Sequence, residues 1–239
     1  MRNDEENIIK MLRTNEIKTF NKAFEEWKKL EVVSDNFLEE ILNLPKILGN
    51  KLFQGEFLEE FEYFTSSQLQ MIERFIHKNI NDKDCLFVSS LIDCANLNHI
   101  LSIHDICLEF IRRRRSSHIV LAALNYLFGH LNFHNIDRIV AAFNRVLNNK
   151  KYYQNCQTIA SFYLFRITHH QKYYDFLKSL VLEGGEINHI VLKNSLQGMD
   201  YNKRKYFAYF DDLMILIKDR EKRIIAKNTI KPTNTKNHT

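Results

Sequence analysis

The 239-residue sequence predicts an all-α fold, and three observations carry that expectation. Glycine and proline are scarce, six and two residues, whereas an all-β fold of tight hairpins needs many more of both. Apolar residues recur at helical spacing, as in Ile139, Val140, Phe143, Val146 and Leu147, and no alternating strand pattern competes with them. Large apolar residues also recur at one long period, which makes successive helices repeats of a single unit.

In chain order, the pattern predicts helices over 4–13, 15–31, 36–48, 55–63, 66–80, 84–96, 99–113, 117–130, 135–149, 154–167, 171–183, 187–197 and 204–223. The early ones comprise an acidic helix carrying Trp27, a helix interrupted at Pro45, and the aromatic run FLEEFEYF. Asn36-x-x-Glu39 and Thr65-x-x-Gln68 read as capping boxes, in which a side-chain oxygen satisfies an orphan N–H of the first turn. Gly129, Asn132 and Asn135 mark a turn, and Gly184-Gly185 reads as a helix stop.

Phe75, Phe110, Phe143, Phe176 and Phe210 stand in successive alternate helices at separations of 35, 33, 33 and 34 residues. Between them run Ser89-Ser90-Leu91, Ala122-Ala123-Leu124, Ala160-Ser161-Phe162 and Asn194-Ser195-Leu196, each a small or polar pair before a large apolar residue, spaced by 33, 38 and 34. Two interleaved ladders of one period imply stacked antiparallel helical hairpins. A single hairpin cannot bury its apolar face; a stack gives a continuous core, with small residues where helices approach closely.

The period is that of tetratricopeptide or ankyrin repeats, but their Trp-x-x-Leu-Gly and Thr-Pro-Leu-His patterns are missing. The linkers also vary, with 15, 13, 18 and 19 residues from each ladder Phe to the second residue of the next small pair. Such irregular pairs resemble HEAT or armadillo-type α-solenoids over residues 65–220. The resemblance implies a right-handed superhelix and a tendency to bind macromolecules. The expected organisation is an acidic helical cap over 1–64, HEAT-like repeats over 65–223 and a flexible basic tail over 224–239.

Residues 1–64 hold 9 Lys+Arg against 14 Asp+Glu, while 65–239 hold 25 against 15. A basic body admits an acidic partner, but a pI near 8.9 is too modest to choose between protein and nucleic acid. The longest apolar run, Ile119 to Leu124, falls far short of the roughly 20 residues that span a bilayer. The N-terminus MRNDEENIIKML lacks a signal-peptide pattern, so a cytoplasmic protein without membrane partners is expected.

Chemistry-bearing motifs are few. Neither G-x-x-x-x-G-K, G-x-G-x-x-G nor G-x-S-x-G occurs. Cys85, Cys94, Cys107 and Cys156 form no C-x-x-C pair and read as reduced thiols used as small hydrophobes. His130 and His134, near Asp137, have metal-ligand spacing, but the turn between them destroys the one-face geometry; His169-His170 occupies another corner. His104 and Cys107 would share a helix face, yet no third group orients the base. Asp211-Asp212 and Glu25-Glu26 point to different helix faces and read as solvated surface. No catalytic residue, metal or cofactor is assigned.

The binding candidates are Arg112, Arg113, Arg114 and Arg115, the run Lys150, Lys151, Tyr152 and Tyr153, and the pair Lys172 and Tyr173. KKYYQ, HHQKYYDF and YNKRKYFAYF interleave cations with aromatics, which suits phosphate contact plus base stacking and equally suits tyrosine packing beside solvated lysine. By the ladder register Arg114 falls where other repeats carry Leu147, Leu180 and Met214. The short linker here instead ends the helix near Arg113, with Arg114 turning the corner and Ser116 or Ser117 capping the next helix.

Two functions are therefore expected. One is a non-enzymatic scaffold capturing a protein partner on its concave surface or rim, for example an adaptor or a toxin-neutralising immunity protein. The other is a nucleic-acid-binding solenoid, with a DNA-processing activity of the glycosylase type implied by the HEAT resemblance. Residues 65–239 contain no Trp and no paired acid and aromatic motif to locate such an active site.

Overall fold

The computed structural model describes residues 2–14, 16–45, 48–60, 64–183, 213, 215–219 and 221. Every regular element among them is helical: α1 Asn3–Arg13, α2 Ile17–Trp27, α3 Asp35–Leu42, α4 Leu48–Glu60, α5 Ser66–Asn79, α6 Cys85–Leu97, a 3-10 turn Leu101–Ile103, α7 His104–Arg113, α8 Ser117–Gly129, α9 Ile136–Leu147, α10 Gln154–Thr168 and α11 Gln171–Glu183. The expected helix 187–197, the Gly184-Gly185 stop, the rungs Phe210 and Asn194-Ser195-Leu196, and the tail 224–239 lie outside the described residues.

Local chemistry explains the boundaries. At α5, Thr65 Oγ1 accepts from Gln68 N at 3.3 Å while Thr65 N donates to Gln68 Oε1 at 3.0 Å, the reciprocal capping box. At α3 the cap is Ser34, whose Oγ accepts from Phe37 N at 3.2 Å; Asn36 already lies inside the helix. The expected helix across Pro45 divides, α3 stopping at Leu42 and α4 starting at Leu48, because proline lacks an N–H and disfavours helical backbone before it. α4 thus begins seven residues before the expected 55, since Gly49 and Gly55 weakened its periodicity. Ahead of α7, His99 takes a left-handed φ of 54° and a 3-10 turn intervenes, delaying the helix to His104.

The chain divides into two compact units, Met1–Ile139 and Val140–Thr239. In the first, α1 packs on α3 and α3 on α5, while α4 packs on α6 and α6 on α8; the hairpin pairs α1–α2, α5–α6 and α7–α8 join as well. Helices therefore meet their next-but-one neighbours as well as their sequence neighbours. The α4–α6 contact is parallel: Lys51 Nζ lies 5.8 Å from the Phe87 ring centroid, and one turn on a Cβ at Gly55 would stand 3.2 Å from Ser90 Cβ. α1 and α3 are parallel too, Glu5 binding Ser34 and Arg13 Nη2 donating to Glu40 Oε2 at 2.5 Å.

The core follows the ladders. Leu91, Leu124 and Phe162 are buried, as are Phe110 and Phe143, and Ala122, Ala123, Ala160 and Ser161 are buried beside them. Phe75 and Phe176 are half-buried. Under the N-terminal helices Trp27 packs edge to face on Phe53 and Phe57, the latter with centroids 5.3 Å apart, Phe37 packs edge to face on Phe57, and Phe53 and Phe57 stack. In the second unit α10 packs on α11, Ser161 Oγ donating to Tyr173 O at 3.0 Å.

Candidate functional site

The four arginines have four distinct environments. In the last turn of α7, Arg112 Nε and Nη2 donate to the Glu109 carboxylate, each at 2.5 Å, and Arg113 Nε joins them on Oε1. The Arg112 hydrogen bond, reinforced by Arg113, holds the Glu109 carboxyl down to about 2. Arg114 follows the helix in the left-handed region, φ 53° and ψ 55°, with its side chain exposed. Arg114 N donates to Ile111 O and Arg115 N to Phe110 O, the pattern of a Schellman ending in which glycine is the usual residue. Arg115 turns back over Phe110, its guanidinium 5.6 Å from the ring centroid, while Nη2 donates to Asp82 O at 3.1 Å. Asp82 Oδ1 also accepts from Lys51 Nζ at 2.7 Å, so Arg115 and Lys51 tie the α5–α6 corner to two other elements.

The expectation that Arg114 leaves the helix and turns the corner is met. Ser116 stands at the start of α8 without accepting a capping hydrogen bond; its Oγ is buried and unpartnered among the described residues. Composition alone could not reveal that Glu109 occupies two of the four cations, although its spacing of three and four residues from them is a helical ion-pair signature.

The other candidates belong to the second unit. Lys150 and Lys151 are exposed before α10, and Tyr153 beside them is 66% exposed. Tyr152 is buried, and so is Tyr173, whose Oη donates to Asn144 Oδ1 at 2.8 Å. Those two rings are committed to packing. Lys172 lies over Tyr173, its Nζ 4.7 Å from the centroid. Lys150–Tyr153 precede the first residue of α10 and Lys172 follows its last; at about 1.5 Å per residue, the 15-residue helix separates them by about 22 Å. YNKRKYFAYF and Asp211-Asp212 lie outside the described residues.

The reactive candidates are engaged structurally. His104 Nε2 accepts from Asn135 Nδ2 at 3.2 Å, and burial, against the pull of Asp105, lowers its pKa. Cys107 is fully buried, and burial raises its thiol pKa far above the ordinary range; burial likewise pushes Cys94 and Cys156 up to about 12. None of these three is a thiolate at neutral pH. His130 Nδ1 donates to Tyr126 O at 2.8 Å, while His134 is exposed in the turn. Glu26 pairs with Lys29 at 2.9 Å beside an exposed Glu25. Among the described residues no group of three or more His, Cys, Asp or Glu could hold a metal ion, and no helix is long and apolar enough to cross a membrane.

The surface formed by α4 and α6 holds none of the binding candidates from the sequence. Leu52, Leu86 and Leu97 are exposed on these two helices, and the Glu59 charge on α4 reaches Asp93 on α6. Burial, with the Glu59 charge adding to it, pushes the Asp93 carboxyl up to about 7. The legible signal was Leu86, Ser90, Asp93 and Leu97 at spacings of four, three and four, which places a carboxylate amid a half-apolar stripe. No protein-family model, curated protein or solved structure matches the chain.

Proposed function

We propose that the chain is a non-enzymatic binding protein, a right-handed superhelix of stacked helical hairpins with residues 1–64 as its capping end, that captures another protein on the surface of its second-helix row. The observation that carries this reading is the next-but-one packing of α4, α6 and α8, with Gly55, Ser90 and Ala122–Ala123 available for close approach. Stacked hairpins whose second helices approach closely generate a curved, extended face. Supporting it, Cys94, Cys107 and Cys156 are buried thiols, and His104 accepts a hydrogen bond from Asn135.

Exposed Arg114 in the first unit, and separately exposed Lys150, Lys151 and Tyr153 in the second, support a second reading, in which basic surface binds nucleic acid, including the glycosylase-type alternative. One experiment separates the two. The tagged full-length protein is recovered from native lysate at about 150 mM salt, and bound protein and oligonucleotide are both quantified. The expected result is a stoichiometric protein partner. Retained oligonucleotide without a protein partner, lost steeply with added salt and abolished by Arg114→Glu, Lys150→Glu and Lys151→Glu together, would replace the protein-binding reading with the nucleic-acid one.

A further inference from the structure

Along the adjoining faces of α4 and α6, three leucines are left in solvent: Leu52 is 39% exposed, Leu86 51% and Leu97 60%. On α6, Leu86, Ser90, Asp93 and Leu97 lie on one stripe, and on α4 so do Leu52, Glu56 and Glu59. Gly55 brings the stripes together, because its missing side chain lets the α4 backbone approach Ser90. The result is two parallel ridges with leucines toward their ends and carboxylates between them. From Leu86 to Leu97 is about 16 Å, three helical turns.

Charge selects the occupant. Glu60 is paired with Lys28 at 2.8 Å, and that ammonium also reaches Glu56 electrostatically. Glu56, Glu59 and Asp93 have no ion-pair partner within 4 Å among the described residues. A face this acidic repels phosphate, whether of nucleic acid or of an anionic membrane, and its leucines call for an apolar partner surface. We propose that the α4–α6 face is the docking surface for a cationic amphipathic α-helix of a protein partner, whose apolar residues seat on Leu52, Leu86 and Leu97 and whose Lys or Arg residues meet Glu56, Glu59 and Asp93. This rests on the protein-binding reading above and names the partner's chemistry. Burial raises both Glu56 and Asp93, and the Glu59 charge adds to each, so a cation brought to Glu59 relieves a repulsion already present in the free protein.

The test uses a fluorescein-labelled helical peptide of roughly 18 residues, built of leucine and lysine with leucines three and four positions apart, and its leucine–glutamate counterpart. Fluorescence anisotropy with the full chain is expected to show binding of the lysine peptide alone. Glu59→Gln with Asp93→Asn, and separately Leu86→Ser with Leu97→Ser, are each expected to weaken it at least about tenfold with helical circular dichroism unchanged. Equal binding of both peptides, or affinity unchanged in both double variants, overturns the proposal. So does a concentration-dependent dimer dissolved by the same substitutions, which would assign the face to a second copy of the chain. If a native partner stays bound to the quadruple variant, this docking assignment fails while protein binding stands; if no protein partner is recovered at all, the broader reading fails.

Discussion

Glu5 is a buried carboxylate that joins two helices. It accepts from Arg2 N at 2.7 Å, from Ser34 N at 2.8 Å and from Ser34 Oγ at 2.8 Å. Burial pushes its carboxyl up, but the Arg2 and Ser34 hydrogen bonds outweigh that and hold it below the usual range. Its contribution is therefore present above the unfolded value near pH 4 and lost as pH falls through the lower folded value. Glu5→Ala is expected to cost about 1–3 kcal/mol at pH 7, measured by chemical denaturation, because Ser34 N loses its acceptor in a dry site. Asp93 behaves oppositely. Its carboxyl, raised to about 7, binds a proton in the folded state that the unfolded chain has released, so stability falls as pH rises from about 4 to 7. Asp93→Asn is expected to raise the melting temperature at pH 8 by about 2–4 °C or more and to leave it unchanged near pH 4. A melting-temperature difference between Asp93→Asn and the wild type that does not grow over that interval would contradict the assignment.

At the scale of elements, glycine and corner residues decide spacing. Gly55 permits the α4–α6 approach at Ser90, so Gly55→Leu forces the helices apart and is expected to destabilise by about 1–3 kcal/mol in a denaturant titration. A larger residue tolerated without loss would show that the contact is slack. The corners were legible to different degrees. Thr65-x-x-Gln68 announced α5 because a capping box is purely local. The Arg114 corner was deduced from linker length, and the left-handed backbone there agrees. Ser34, rather than Asn36, caps α3; both residues are competent caps, and the choice depends on Glu5 holding Ser34 N and Oγ from another helix.

At the scale of the molecule, the charge asymmetry of the sequence acquires a location. The acidic excess of the first quarter includes Glu56 and Glu59, which join Asp93 on the α4–α6 face, while the arginine run is partly consumed by Glu109 and Asp82. Helical class, the buried rungs of both ladders and the Arg114 corner were determined by the sequence alone, because periodicity, capping and helix termination are local properties of the backbone and its nearest side chains. Only the tertiary structure decided that Tyr152 and Tyr173 are buried, that Tyr153 is exposed, and that the Glu59 charge acts on Asp93. Those outcomes depend on which helices meet and in what register. Desolvation and charge coupling are set by neighbours distant in sequence, and no local pattern encodes them.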